Sequence, residues 1–316
     1  GMKSISKSYD ESRSRRILTP TAAARGMDRI HPSSTPVPLD RCDLVIEAAV
    51  ERLEIKQKVF ADLSARVRPD TILATNTSAL PIHELAGAIT HPERLVGLHF
   101  FNPVHRMTLV EVVRTASTSD ETLATAVTFV RSLGKLPVVV RDAPGFLVNR
   151  ILMPYLVEAA KIFERGGDPK AIDDAMLDFG MPMGPLRLLD EVGLDVSAHV
   201  ARTLAEAFPD RMSVPNLLGK LIEQGHLGRK SGAGFYVYDH HEASPNPAAL
   251  ALRTSDQPTP SDVATQLSHA MSNEARLCLN EGIAETADDI DLAMVLGTGY
   301  APFRGGPLQN ELKHPS

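Results

Sequence analysis

The sequence predicts an α/β domain built on a parallel sheet, followed by an all-α domain made of two related copies. Three observations carry this. Short apolar runs alternate with helix-period segments between Cys42 and Val140. Strand-like runs stop after Asp142-Ala143-Pro144-Gly145, except the short Gly234 to Tyr238, and one pattern of residues recurs in the helical remainder. Most of the apolar runs lack a polar face, as strands do when helices cover a parallel sheet on both sides. At 316 residues the chain has room for about two domains.

Residues 1–38 are polar and basic, an N-terminal segment of little definition. A helix is expected within 12–30, around Ala22 to Arg25, and His31-Pro32-Ser33-Ser34-Thr35-Pro36 stops it. The α/β domain spans 39–142. Its strand candidates are Asp43 to Val50, Asp70 to Asn76, Arg94 to Phe101, Leu109 to Arg114 and Leu136 to Val140. Between them lie helical patterns through Ile55, Val59, Phe60 and Leu63, from Ile82 to Ile89, and from Glu121 to Leu133. Residues 143–239 form the first helical copy, with helices over 146–165, 169–180 and 195–208. Residues 240–262, rich in Pro, Ser and Asn, read as a linker, and 263–316 as a second, incomplete copy. The repeat lies in Val157-Glu158-Ala159, Ile172-Asp173 to Ala175-Met176 and Gly184-Pro185. Its later counterparts are Asn273-Glu274-Ala275, Ile290-Asp291 to Ala293-Met294 and Gly306-Pro307.

Composition excludes several function classes. A net charge of −6, from 33 Lys+Arg against 39 Asp+Glu, gives no global attraction to nucleic acid or anionic membrane. Two cysteines, Cys42 and Cys278, rule out a disulfide scaffold and a structural zinc site; no metal is expected. No apolar run reaches the roughly 18 residues of a membrane helix. Gly1-Met2-Lys3-Ser4 shows no signal core, and Gly1 reads as a tag remnant. A soluble, cytoplasmic protein is expected.

Ligands of open parallel sheets bind beyond the carboxyl ends of the strands. Glu47 and Glu51, Asn76, Thr77 and Ser78, and His99 and Asn102 all fall at such ends. His99 shares a strand face with Leu95 and Gly97, and Gly97 leaves space beside it. A histidine acting as general base needs an acid to fix its tautomer, and Glu111, within an otherwise apolar strand, suits that role. On the residues alone, a satisfied core histidine and an edge-strand glutamate is the favoured reading. Ser78 reads as a substrate group or as a helix cap. Asn149 opens the helical domain at the junction, and Lys230 sits in a glycine-rich basic turn able to meet an anion.

Four co-linear stretches carry a family resemblance. They are Leu98-His99-Phe100-Phe101-Asn102-Pro103-Val104, Ala74-Thr75-Asn76-Thr77-Ser78, Asp142-Ala143-Pro144-Gly145-Phe146-Leu147-Val148-Asn149-Arg150 and Gly228-Arg229-Lys230-Ser231-Gly232-Ala233-Gly234-Phe235-Tyr236. Together they resemble the L-3-hydroxyacyl-CoA dehydrogenases, most of all the dehydrogenase portion of multifunctional fatty-acid oxidation proteins, from about Leu39 to Leu308. The resemblance implies a Rossmann-type domain, NAD as cofactor, and oxidation of L-3-hydroxyacyl-CoA to 3-ketoacyl-CoA in β-oxidation. It makes His99 the catalytic base, Glu111 its partner, and Ser78 and Asn149 substrate-orienting residues. It places Glu51, Lys56, Ser78, Asn102 and Lys230 near the cofactor. It also implies association as a homodimer or with a β-oxidation complex partner.

One departure stands out. The Gly-x-Gly-x-x-Gly turn that seats the NAD pyrophosphate is not in this sequence. The sheet is therefore expected to be an incomplete Rossmann-type sheet lacking its first βαβ unit, with residues 1–38 unlike what replaces it. The chain reads as truncated at both ends, with impaired cofactor binding. Two alternatives compete: a non-catalytic remnant acting through helical association, and another NAD-linked Rossmann-plus-helical hydroxyacid dehydrogenase. The 3-hydroxyisobutyrate and 6-phosphogluconate types commonly use a lysine base, so His99 with Glu111 favours the acyl-CoA reading.

Overall fold

In the computed structural model, which describes residues 1–239 and 242–313, five strands form one sheet in the order β1-β2-β3-β4-β5. They are β1 (Leu44–Glu47), β2 (Ile72–Thr75), β3 (Leu95–Phe100), β4 (Leu109–Arg114) and β5 (Leu136–Arg141). Helices α3 (Leu53–Arg66), α4 (His83–Ala86) and α5 (Asp120–Ser132) occupy the other connections. One face of β2, β3 and β4, with Ile72, Ala74, Val96, Leu98, Val110 and Val112, packs on Ala126 and Val130 of α5. Each such buried aliphatic side chain contributes roughly 1.5–3 kcal/mol.

The expected parallel sheet needs one correction. β1, β2 and β3 run parallel, and so do β4 and β5, but β3 and β4 are antiparallel. Only residues 101–108, without a helix, join them. A parallel return needs a crossover of a dozen or more residues, so the chain can only double back. This reversal sets His99 directly opposite Glu111 in the register.

The chain divides into two compact units, Gly1–Cys42 with Arg66–Arg68, and the remainder from Asp43 onward. The first unit holds α1 (Met2–Ser14) and α2 (Pro20–Met27) rather than the one helix expected within 12–30. The residue before a proline is pushed out of the helical region. Thr19 accordingly lies at φ −69°, ψ 155°, and caps α2 by accepting from Ala22 N–H at 3.1 Å. The Tyr9 ring packs on Gly26, where a Cβ would come within 2.4 Å of it. In the second unit, sheet and helices are continuous across the change of composition near residue 142.

The first helical copy contains α6 (Val148–Glu164), α7 (Pro169–Phe179) and α8 (Pro185–Val192), followed by α9 (Leu194–Ala207) and α10 (Asn216–Glu223). A two-stranded hairpin, β6 (Tyr236–Asp239) and β7 (Glu242–Pro245), leads into the short α11 (Pro247–Leu250). The second copy is α12 (Val263–Asn280), α13 (Ala287–Thr298) and α14 (Pro307–Lys313). Both copies use one device. Asp173 accepts from Leu186 and Arg187 N–H at 2.9 and 3.3 Å, starting α8. Asp291 accepts from Leu308 and Gln309 N–H at 2.8 and 3.0 Å, starting α14. Gly184 and Gly306 let these carboxylates approach, since a Cβ at either would lie within about 2.5 Å of the Asp side chain. The glutamates have diverged: Glu158 pairs with Arg165 at the surface, whereas Glu274 is buried against Arg150.

The segment read as a linker is built into the fold. Its first residues, His240 and His241, and the last three of the second copy lie outside the described residues. Beyond them, Asn246 donates to Gly234 C=O at 2.7 Å and accepts from Ala248 N–H at 3.0 Å. Thr254 and Gln257 N–H then bind the C=O groups of Glu164 and Arg165 at the end of α6, at 2.7 and 3.0 Å. Pro, Ser and Asn serve here as turn and cap residues, the same composition that marks a linker.

Candidate active site

His99 ends β3 and Glu111 lies within β4, both buried, at 5% and 0% exposure. Their cross-strand pairing brings His99 Nδ1 to 2.6 Å from Glu111 Oε2. The other carboxylate oxygen, Oε1, accepts from Leu147 and Val148 N–H at 3.1 and 2.9 Å, at the start of α6. A carboxylate there satisfies N–H groups that helix formation leaves unpaired and faces the positive end of the helix dipole. Glu111 is thus fixed from two sides, and so is the ring it holds. Phe101 and Phe146 pack on the imidazole, with ring centroids at 4.5 and 5.7 Å. Phe146 adopts φ +52°, which costs a residue with a side chain roughly 1–2 kcal/mol. Buried neighbours hold it there.

The space beside Gly97 is filled. A Cβ at Gly97 would meet Ile82 Cδ1 at 2.4 Å and Val113 Cβ at 2.8 Å, so the glycine serves packing.

Ser78 and Asn149 come together as well. Asn149 Nδ2 donates to Ser78 C=O at 3.0 Å, and Ser78 N–H donates to Glu51 Oε1 at 2.8 Å. Thr77 Oγ1 donates to the same oxygen at 2.5 Å. A continuous path of hydrogen bonds and adjacent residues therefore runs His99–Glu111–Val148–Asn149–Ser78–Glu51. Nearby, Asp142 accepts from Ile82 and His83 N–H at 3.1 and 2.7 Å, tying the start of α4 to the end of β5.

Lys56 forms a buried ion pair. It is wholly buried and donates to both oxygens of Glu47 at 2.7 and 2.9 Å, with Glu51 at 3.5 Å. Burial alone would raise the Glu47 carboxyl. Lys56, Thr75 Oγ1 and Ala49 N–H outweigh it and hold the group below its ordinary value. The Lys230 ammonium pairs with Asp195. Its glycine-rich turn is shaped by Asp190: a Cβ at Gly234 would lie 1.9 Å from Asp190 Oδ1, and one at Gly228 would lie 2.3 Å from Asp190 C=O. Asn102 is exposed just beyond β3, in a cis peptide with Pro103.

These donors suit one half of a dinucleotide. Glu51, Thr77, Ser78 and Asn102 offer the carboxylate, hydroxyls and amide that could hold a ribose and a cationic nicotinamide. Lys56, a cation beside this group, is paired with Glu47. Among the described residues no cluster of His, Cys, Asp and Glu could hold a metal ion, and no helix is long and apolar enough to cross a membrane.

Residues 1–143 match the 3-hydroxyacyl-CoA dehydrogenase NAD binding domain, and residues 145–238 match the C-terminal domain of the same family. The chain belongs to the 3-hydroxyacyl-CoA dehydrogenase family. Among curated relatives, the fatty acid oxidation complex subunit alpha of Vibrio cholerae is 43% identical over 307 residues, covering 96% of this chain and 43% of that one. This member thus spans less than half the length of that relative. A 3-hydroxybutyryl-CoA dehydrogenase of Escherichia coli superposes with a TM-score of 0.88 at 29% identity, over 98% of this chain and 83% of that one. The (S)-3-hydroxybutyryl-CoA dehydrogenase of Ralstonia eutropha gives 0.73 at 38% identity, over 75% and 85%. The expectation that residues 1–38 fall outside the likeness is corrected, because the dehydrogenase family match begins at residue 1.

Sequence reading placed Glu47 and Thr77 at strand ends without assigning their partners, and gave Asp142 and Arg150 no part in the site. One signal was available for Arg150: it is the only charged residue from Ala143 to Val157.

Proposed function

We propose that this chain carries the NAD-dependent oxidation of L-3-hydroxyacyl-CoA to 3-ketoacyl-CoA, with His99 as base. The observation that carries the proposal is the buried 2.6 Å contact between His99 Nδ1 and a Glu111 anchored on α6. A carboxylate on Nδ1 leaves Nε2 as the acceptor in the neutral ring. Nε2 takes the proton of the substrate 3-hydroxyl, and Glu111 stabilises the imidazolium that results. NAD+, when bound, supplies the acceptor for the C3 hydride. Ser78 and Asn149 orient the hydroxyl and acyl region, while Glu51, Ser78 and Asn102 hold the nicotinamide end. Relatives named as subunits of a fatty acid oxidation complex support an acyl-CoA substrate and a partner of that pathway.

The test is NADH formation from the L and D isomers of a 3-hydroxyacyl-CoA. Turnover of the L isomer alone supports the reading. Turnover of neither isomer, with NAD+ shown to bind, would leave the non-catalytic alternative.

A further inference from the structure

The start of α6 is held from its far side by a charge cluster, buried at Arg150 and Glu274 and half-buried at Arg211 and Glu281. Arg150 follows Asn149 and is 2% exposed. Its Nε donates to Glu274 Oε1 at 2.8 Å, and one terminal nitrogen donates to Glu281 Oε2 at 2.7 Å. Glu274 lies on α12, and Glu281 follows that helix directly. Arg211 bridges the same two carboxylates, at 3.3 and 2.6 Å. The Phe208 ring lies against both guanidinium groups, with centroids at 4.3 and 4.8 Å. Two cations and two anions balance, and the Arg150 guanidinium bonds Glu274 and Glu281 and stacks on Phe208.

Removing one partner from a buried charge pair leaves the other uncompensated, so this cluster fixes Arg150 firmly. Arg150 in turn fixes the helical turn whose N–H groups, on Leu147 and Val148, bind Glu111. That turn follows Gly145 and Phe146, both at positive φ, +72° and +52°. Such a segment keeps its shape only when its surroundings impose it. Glu111 restrains the turn, Asn149 ties it to Ser78, and Arg150 anchors it on the opposite side.

We infer that Arg150 is a positioning residue for the His99–Glu111 pair, through which Glu274 and Glu281 of the second helical copy hold the dyad in register. It touches neither reacting atom. Its part is to keep two backbone donors aimed at one carboxylate oxygen, so that the other stays on the imidazole. The inference deepens the dehydrogenase reading and rests on it for its kinetic consequence, though not for the coupling itself.

The experiment compares the full chain with Arg150→Lys and Glu281→Gln. Lysine keeps the charge but cannot make both forked bonds. Glu281 is about one-third exposed, so its variant is expected to fold even where Arg150→Lys does not. The primary readout is the downfield proton resonance of the His99 Nδ1–H in 15N-histidine-labelled protein, which needs no turnover. Both variants are expected to weaken or broaden that signal, and to lower kcat several-fold with KM for the acyl-CoA within twofold. An unchanged signal in folded Glu281→Gln would overturn the coupling even with dehydrogenase activity intact. A signal that responds in a chain without turnover would support the coupling and remove the dehydrogenase reading.

Discussion

Glu111 stands directly across from His99 in the antiparallel pairing of β3 and β4, and its two oxygens do different work. Oε2 holds the imidazole and Oε1 holds the first turn of α6. One side chain thus joins the sheet, the base and the helical part.

Glu111→Ala should cost stability as well as activity. It strands two buried N–H groups and a buried imidazole, for about 3–5 kcal/mol together. Glu111→Gln keeps one acceptor oxygen and should lose clearly less stability while still lowering kcat. Denaturant midpoints of the two variants check this order.

The Lys56–Glu47 pair should behave as structure. Lys56→Met alone leaves a buried carboxylate and should destabilise by about 3–5 kcal/mol, whereas Lys56→Met with Glu47→Leu should recover most of that loss. Equal stability of the single and double variants, measured by urea unfolding, would contradict the assignment.

Stability should rise on mild acidification. Burial pushes Asp173 and Asp190 up to about 6, against hydrogen bonds that pull them down. An acid whose folded pKa is raised contributes stability that is fully present below its unfolded value and is lost as pH rises through the folded one. From a usual value near 3.9, each therefore contributes up to about 3 kcal/mol by pH 4, absent at pH 7. Glu47 and Glu281 act oppositely. Burial raises both, but Lys56 for the first, and Arg150 and Arg211 for the second, hold them below normal, so their stability is lost at lower pH. The denaturation midpoint should climb from pH 7 to about 5 and fall in stronger acid. Asp173→Asn should flatten part of the climb.

Gly234→Ala should destabilise by about 1–3 kcal/mol or more, because its Cβ would meet the Asp190 carboxylate. Gly232→Ala, where a Cβ meets nothing, should lose only what its φ of +81° imposes. Thermal midpoints of the two variants separate the causes.

Much of this arrangement is legible in the sequence, and the reasons for the rest are physical. Apolar runs marked all five sheet strands, and the Ile-Asp…Ala-Met and Gly-Pro repeats marked both helical copies, because buried faces and helix caps constrain residue type locally. Direction across β3 and β4 was not in those runs. It lay in the length of residues 101–108, too short for a crossover. The pairing of Lys56 with Glu47 and of Lys230 with Asp195 is set by tertiary approach and has no local signature. The link from Asn149 to Ser78 joins residues 71 positions apart and has no local signature.

The central claim is that His99 takes the substrate proton during hydride loss. The most direct measurement is the single-turnover rate of NADH formation from a saturating L-3-hydroxyacyl-CoA, for the full chain and for His99→Gln. A loss of about 10²–10⁴-fold with NAD+ affinity unchanged is expected. Rates within threefold of each other would contradict it.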